Sequence, residues 1–432
     1  MAMPCPEHAM RIRQQGRPPT QMPFPQPSLL TQVSAAHLVS HLHIMALPAL
    51  LPVLPGVLGV GFVELGLALS VFNIVSALVQ APLGFAVDRF GARRVLMAGL
   101  LLGSAAFASL AVFGGYPWLL VAMALAGLAN GVYHPADYAL LSAGIEGKRM
   151  GRAFSIHTFC GFLGGAMAPG LLMGIASLGG VRWAFATTAL AGLAAWLLLR
   201  IGPAHEAQAM RKRPATAPAK PSTASPARPL GVLTPAIAML TVLYVLLSLS
   251  TGSIEKFSVS ALVGGYGIGL SWANTAVTAF LFASAFGVLA GGALADRTRR
   301  HGLVAASAFG AAAVLAALVA WGHLPAWALV LCLGMTGFLT GVIAPSRDML
   351  VRAAAPEGAQ GRAFGIVSTG FNIGGALGPV LFGWLLDQGR FSGIFWAATV
   401  FMTLTVGLTL LQERRLAQRR MTTLGGRTAG AA

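Results

Sequence analysis

Asn130, His134 and Asp137, in the stretch NGVYHPAD, carry chemistry at odds with the oily residues around them. On a helix they stand at i, i+4 and i+7, so an amide, an imidazole and a carboxylate share one face. Pro135 frees the carbonyl of Gly131, and a kink is expected there. A second set, His37, His41 and His43, lies in HLVSHLH. His37 and His41 share a face, and His43 points away. Two imidazoles at that spacing can ligate a metal. No Cys, Asp or Glu accompanies them on the segment, so a protonatable cavity wall is the expected chemistry, without metal. Glu255, beside Lys256 in STGSIEKFSVSALV, is the best carboxylate for proton coupling in the outer half of the chain's apolar segments. The competing reading is an interfacial charge, with Lys256 reaching for the outer headgroups. His157 and Asn372 complete the cavity or proton-coupling candidates.

The elements that position these groups follow from composition. Of 432 residues, 56% are hydrophobic and 9% charged, against roughly 25% charged in a soluble domain. The chain reads as a membrane protein. Its net charge of +17 would suggest nucleic acid in a soluble protein. In a membrane protein basic residues collect in cytoplasmic loops, so no nucleic-acid partner is expected. Cys5, Cys160 and Cys332 are far apart and suggest neither a disulfide framework nor a zinc knuckle.

Residues 1–28 form a polar tail rich in Pro and Arg. Six apolar segments follow, at about 29–53, 62–86, 95–113, 117–142, 153–177 and 182–200. Residues 201–231 read as a flexible linker. Six more segments lie at about 232–254, 268–294, 302–321, 325–350, 362–386 and 391–411, before a basic tail over 412–432. Each is long enough to span a core of about 30 Å. With both termini cytoplasmic, 26 of the 29 Lys and Arg residues fall inside, leaving only Arg182, Lys256 and Arg390 outside.

The halves repeat. GRAFSIHTFCGFLGGAMAP (151–169) aligns on GRAFGIVSTGFNIGGALGP (361–379) with nine of nineteen positions identical, at an offset of 210. TGVIAPSRD (340–348) stands at the same offset from NGVYHPADY (130–138), so that Pro135 recurs as Pro345. The loop GFAVDRFGARR (84–94) has its partner in GALADRTRRHG (292–302), offset 208.

That loop, G-x-x-x-D-R-x-G-x-R-R between segments two and three, resembles the signature of the major facilitator superfamily. Gly292, Asp296, Arg297 and Arg300 sit where the family repeats it. The resemblance covers about residues 30–411. It implies an all-α membrane protein of twelve transmembrane helices in two pseudo-symmetric six-helix bundles, 29–200 and 232–411. It also implies a cytoplasmic gate made of Gly84, Asp88, Arg89, Gly91, Arg93 and Arg94 with the second copy. Gly84 would let helices approach, and Asp88 would accept hydrogen bonds from a neighbouring helix N-terminus. The arginines can hold carboxylates or lipid phosphates. Asp137 is expected in the same inner latch, paired with Arg89 or Arg93; Asp348, beside Arg347, would pair with Arg297 or Arg300.

The segment-one histidines and GVYHP look like the fosmidomycin-resistance branch of exporters. The arginine common on segment four of the superfamily is absent here. GGALGPV on segment eleven is similar to an exporter motif that the family carries on segment five, where this chain has Ala168 before Pro169. Close helix packing explains both stretches.

The expectation is a secondary transporter of the cell inner membrane working by alternating access, with its site between the halves. No P-loop is present, so a proton gradient is the expected driver, with Glu255, His41 or His134 titrating. Export of a small, anionic molecule by antiport is the leading direction. Uptake of an organic acid or other metabolite is the alternative. A non-transporting membrane receptor and an intramembrane metalloenzyme are readings of other classes. No cofactor and no enzymatic activity are expected; the partners are a small-molecule substrate, protons and membrane lipid, and the protein is expected as a monomer.

Overall fold

The computed structural model describes residues 27–145, 149–202, 234–298, 300–355 and 360–429. The helices of the first half are α1 (Leu29–Leu50), a short α2 (Leu54–Leu58), α3 (Phe62–Phe90), α4 (Ala92–Val112), α5 (Tyr116–Gly144), α6 (Met150–Gly179) and α7 (Val181–Ile201). The second half has α8 (Pro235–Gly265), α9 (Leu270–Arg297), α10 (His301–Trp321), α11 (Ala326–Ala354), α12 (Gln360–Asp387) and α13 (Gly393–Ala429). All except α2 are long and apolar enough to cross a membrane, which makes twelve. Hydrocarbon offers no partner to a bare peptide group, so a spanning chain satisfies its own backbone and becomes helical.

Most helix edges fall where the apolar runs end. The largest departure is α13, which continues as helix to Ala429 through the basic run expected as a tail from 412. The other is α8, which continues to Gly265 rather than stopping near 254. Its Ser and Thr hydroxyls donate back to carbonyls one turn earlier: Ser253 to Ser250, and Ser258 to Ile254. The polar run SLSTGSIEKFS is thereby absorbed into a helix facing the interior, and Glu255 and Lys256 lie within it instead of at its outer end.

The two halves are built alike. In the first, α1 packs on α6 and α7, α3 on α5, and α4 on α5 and α7; in the second, α8 packs on α12 and α13, α9 on α11, and α10 on α11 and α13. The agreement reaches single contacts. A Cβ on Gly127 of α5 would lie 2.5 Å from the carbonyl oxygen of Phe72, and one on Gly337 of α11 would lie 2.0 Å from that of Phe280. These pairs stand at the offsets of 210 and 208 read from the sequence. The repeat-related prolines Pro135 and Pro345 both lie inside their helices.

Between the halves, the first part of α3 lies against the last part of α12. Gly66 meets the carbonyl of Pro379, Gly383 meets that of Phe62, and Ser70 donates to Ala376 O at 2.5 Å. The Asp387 carboxylate accepts from the backbone N–H of Phe62 and of Val63, both at 2.8 Å. A carboxylate thus closes the positive end of a helix belonging to the other half. At the opposite end of α3 the halves are apart: Gly84 has no neighbour within 4 Å, and Asp88 and Arg89 are exposed. The molecule is closed at the Phe62–Asp387 end and open at the end where α1 begins.

Asp387→Ala is expected to loosen the closed end. An exposed carboxylate at a helix N-terminus contributes about 0.5–1 kcal/mol, so the closed-to-open ratio should fall about two- to five-fold. Electron–electron distance measurements between spin labels on the adjoining ends of α3 and α12 check this, and an unchanged distance distribution contradicts it.

Candidate functional site

A cavity of about 290 Å³ lies between the halves, with walls from both. Its polar lining is His41 on α1, Ser248, Thr251, Glu255 and Lys256 on α8, Ser284 on α9, and Thr340 and Arg347 on α11. Two side chains absent from the candidates hold Arg347 in place. Its guanidinium lies over the rings of Tyr244, at 4.8 Å, and Phe371, at 5.0 Å. Its Nε donates to Asp348 Oδ1 at 3.0 Å, and the Tyr244 hydroxyl donates to the same oxygen at 3.0 Å. Cation–π contacts and a charge-assisted hydrogen bond fix the planar head at the cavity wall. The expected pairing of Asp348 with Arg297 or Arg300 does not occur, because Asp348 is already engaged by Arg347 and Tyr244. Arg347 belongs to the cavity wall, not to an inner latch.

A second constellation lies inside the first half. Asp137 is fully buried, with Oδ2 at 3.2 Å from His37 Nδ1 and 3.6 Å from His157 Nε2. The His37 and His157 rings stack at 3.9 Å between centroids; His41 stands edge-on to His37 at 4.8 Å, and His134 at 5.6 Å. Three helices make this approach. α6 presents Gly161, where a Cβ would come within 2.5 Å of His37 and 2.9 Å of His41, and Gly164 lies against the carbonyl of Leu38. The expected pairing of Asp137 with Arg89 or Arg93 is therefore corrected: its carboxylate turns inward to α1 and α6. His43 points away from the cluster, as its spacing requires. Its Nε2 lies 3.2 Å from Thr188 O, and its ring packs on Phe107.

Asn130 and Asp137 do not reach one neighbour. Seven residues of helix separate them by about 10 Å along the axis. Asn130 donates to Ser76 Oγ on α3 at 2.8 Å, while the His134 ring lies beside those of Tyr138 and His37, at 5.8 and 5.6 Å between centroids. Asn372 is half-buried on α12 and lines neither constellation.

In the signature loop, Gly91 joins α3 directly to α4 at φ +89°, a conformation that a side chain would strain. Gly84 and Gly292 have no neighbour within 4 Å, so the close approach expected at Gly84 is not made in this conformation. Arg89, Arg94, Arg297 and Arg300 are exposed. Asp296 lies in α9, and its side chain falls outside the described residues. Arg93 does a different job. Its guanidinium donates to Gln32 Oε1 and Gly202 O, both at 2.9 Å, and to Leu199 O, closing the last turn of α7 and tying it to α1 and α4.

Among residues outside the candidates, Gly161, Tyr244, Phe371 and Asp387 shape these sites. The repeat offered one signal, since Phe371 stands at offset 210 from Gly161, and Arg347 from Asp137.

The sequence model described as Major Facilitator Superfamily matches residues 33–270 and 240–422. The chain belongs to the major facilitator superfamily. A fosmidomycin resistance protein of Escherichia coli (strain K12) is 27% identical over 368 residues, covering 83% of this chain and 86% of that one. A multidrug resistance protein of Dickeya zeae is 32% identical over 138 residues, about a third of each chain. The solved nucleoside transporter NupG superposes with a TM-score of 0.71 at 15% identity, over 89% of this chain and 99% of that one. A bacterial homolog of the lysosomal transporter Spinster, inward-facing and occupied, gives 0.67 at 15% identity, over 89% and 96%. These agree with the fold and the exporter-branch resemblance read from the sequence, and they make the protein a multi-pass membrane transporter.

Arg93→Ala is expected to lower stability by about 1–3 kcal/mol, because it strips the α7 terminus of charge-assisted hydrogen bonds. Arg89→Ala and Arg94→Ala should leave stability unchanged. Thermal unfolding of the detergent-purified variants checks both statements. Equal unfolding temperatures for all three contradict the tie.

Proposed function

We propose that this transporter moves small anions through the cavity between its halves, exporting them at the expense of the proton gradient. The observation that carries the reading is the cavity wall itself: Arg347 and Lys256 face one space with Glu255 and His41. A guanidinium held by Tyr244, Phe371 and Asp348 is suited to grip a carboxylate, phosphate or phosphonate in two-pronged fashion. Export is supported by the relatives' names, which refer to fosmidomycin and multidrug resistance. The Lys and Arg distribution supports an inner-membrane orientation with both termini cytoplasmic. In that orientation the open end faces the cytoplasm, the side from which an exporter loads.

Glu255 favours a second reading. Ionised, it offsets Lys256 and repels an anion in the same cavity; protonated, it leaves Lys256 free to bind one. Proton and anion would then load together, which is symport and drives uptake. Proteoliposomes with an imposed pH gradient, assayed with fosmidomycin and a panel of small organic anions, separate the two by sign. Accumulation toward the alkaline side is symport, and movement toward the acidic side is antiport. Under either, Arg347→Gln is expected to lower transport roughly ten- to hundred-fold, the weight of one lost charge-assisted contact. Arg347→Lys should not rescue it, since an ammonium lacks the planar fork. Full transport by Arg347→Gln would remove the cavity from the pathway.

The signature loop supplies the other gate. When the cytoplasmic end closes, Asp88 at the end of α3 would accept from the first N–H groups of α12, in the manner the family resemblance implies. Asp88→Asn is expected to fold normally and to transport several-fold more slowly in the same proteoliposomes. Wild-type turnover in that variant would sink the gate.

A further inference from the structure

We propose that His37, Asp137 and His157 form a binding site for one divalent transition-metal ion of the zinc class, inside the first half and apart from the transport cavity. The sequence argued against metal because the segment-one histidines lack a carboxylate of their own. Folding supplies it: α5 brings Asp137, and α6 brings His157, to His37 on α1. One ligand atom from each of the three residues lies within 4.8 Å of the other two. A four-coordinate ion with bonds of about 2.0–2.1 Å sets neighbouring ligand atoms about 3.3 Å apart. Two of the three edges already have nearly that length, at 3.2 and 3.6 Å.

The donors also need a partner. All three residues are almost wholly enclosed, at 4%, 0% and 1% exposure. Both Asp137 oxygens, both His157 nitrogens and His37 Nδ1 make no hydrogen bond of acceptable geometry. A buried polar group without a partner is costly, and such groups in one place need a common explanation. Among the described residues the other titratable groups facing the cluster are His41, His134, Tyr133 and Tyr138, and no lysine or arginine among them offsets the carboxylate. A single proton shared between Asp137 and one imidazole balances the charge but leaves His157 with at least one bare nitrogen. A divalent ion engages all three residues at once.

The donor set selects the ion. Two imidazoles and one carboxylate suit Zn²⁺ and its neighbours, whereas Ca²⁺ and Mg²⁺ take oxygen ligands. His41, whose ring stands 4.8 Å from that of His37, lines the transport cavity, which gives the ion a way in, and water would complete the shell. The stacked His37 and His157 rings splay apart as they ligate. Because α1, α5 and α6 belong to one half, the ion would stiffen that half without tying it to the other.

The test uses the full chain, purified through a tag free of histidine and stripped with chelator. Titration with Zn²⁺ and Co²⁺ is followed by calorimetry and by visible absorption, with elemental analysis of the repurified protein. One equivalent per chain is expected, with the intense visible band of four-coordinate Co²⁺. Asp137→Asn and His157→Gln should each weaken binding at least a hundred-fold, while His43→Gln, outside the cluster, should retain it. Uptake of well under one equivalent by folded wild-type protein overturns the site whatever the variants do. Undiminished binding in Asp137→Asn overturns it as well. Neither readout involves transport, so failure here leaves the cavity reading untouched.

Discussion

A helix in hydrocarbon gains nothing from hiding apolar side chains against another helix, and this absence governs the structure. What holds the helices is close approach of their backbones, which requires a residue without a side chain at the crossing. Gly127 lies on the Phe72 carbonyl and Gly337 on that of Phe280; Gly164 lies on that of Leu38, and Gly374 against Ser248 and the Val245 carbonyl. The four contacts form two pairs related by the sequence repeat. The symmetry of the fold is a symmetry of these crossings. It survives despite limited sequence identity because the crossings require glycine and nearly everything else is free to change.

What did change is the polar chemistry carried on the crossings. Asp137 in one half and Arg347 in the other occupy equivalent positions at offset 210, with opposite charge. Their surroundings diverged to match. His37 and His157 flank the carboxylate, where the second half has Leu247 and Val367. Opposite the guanidinium stands Phe371, where the first half has Gly161. In the first half the missing side chain lets α1 and α6 close around imidazoles and encloses the carboxylate. In the second, the added ring supports a cation at the cavity wall. One scaffold position thus became an internal cluster in one half and a cavity-facing charge in the other.

Fold class was legible because it rests on long-range regularities of sequence: apolar length, the repeat, the signature loop. Twelve spans and a twofold plan need only those. The sites were legible as residues and not as groupings. His37, His41, His134, His157 and Asp137 each stood out as polar groups in an apolar chain, but which of them meet depends on the rotation of three helices. That rotation is set by Gly161 and Gly164; the repeat sets Gly161 opposite Phe371 and the glycine stretch signals close packing, but neither says which side chains these glycines meet. Asp137 was assigned to the loop arginines because they lie at the same membrane depth. Depth is readable from the chain and azimuth is not. Glu255 reads as lying near an outer end because the apolar run stops near 254; the hydroxyls of the polar run bond back to their own helix, so the helix continues.

The two ends of one helix pair carry the logic of alternation. α12 ends in Asp387, whose carboxylate closes the start of α3 in the other half. α3 runs into the signature loop, whose Asp88 is exposed. Each helix therefore finishes in an aspartate suited to the positive end of the other. The contact running from Phe62 to Asn73 covers about 16 Å of α3, and the rest of the helix diverges from its partner. Rigid helices crossing near their middles cannot meet at both ends, so gaining one aspartate contact requires losing the other. On the proposed gate, a pair of such contacts, each weak because it is exposed, would leave the two closed forms close in energy. A carrier needs that balance, since one strong gate would hold it in a single state.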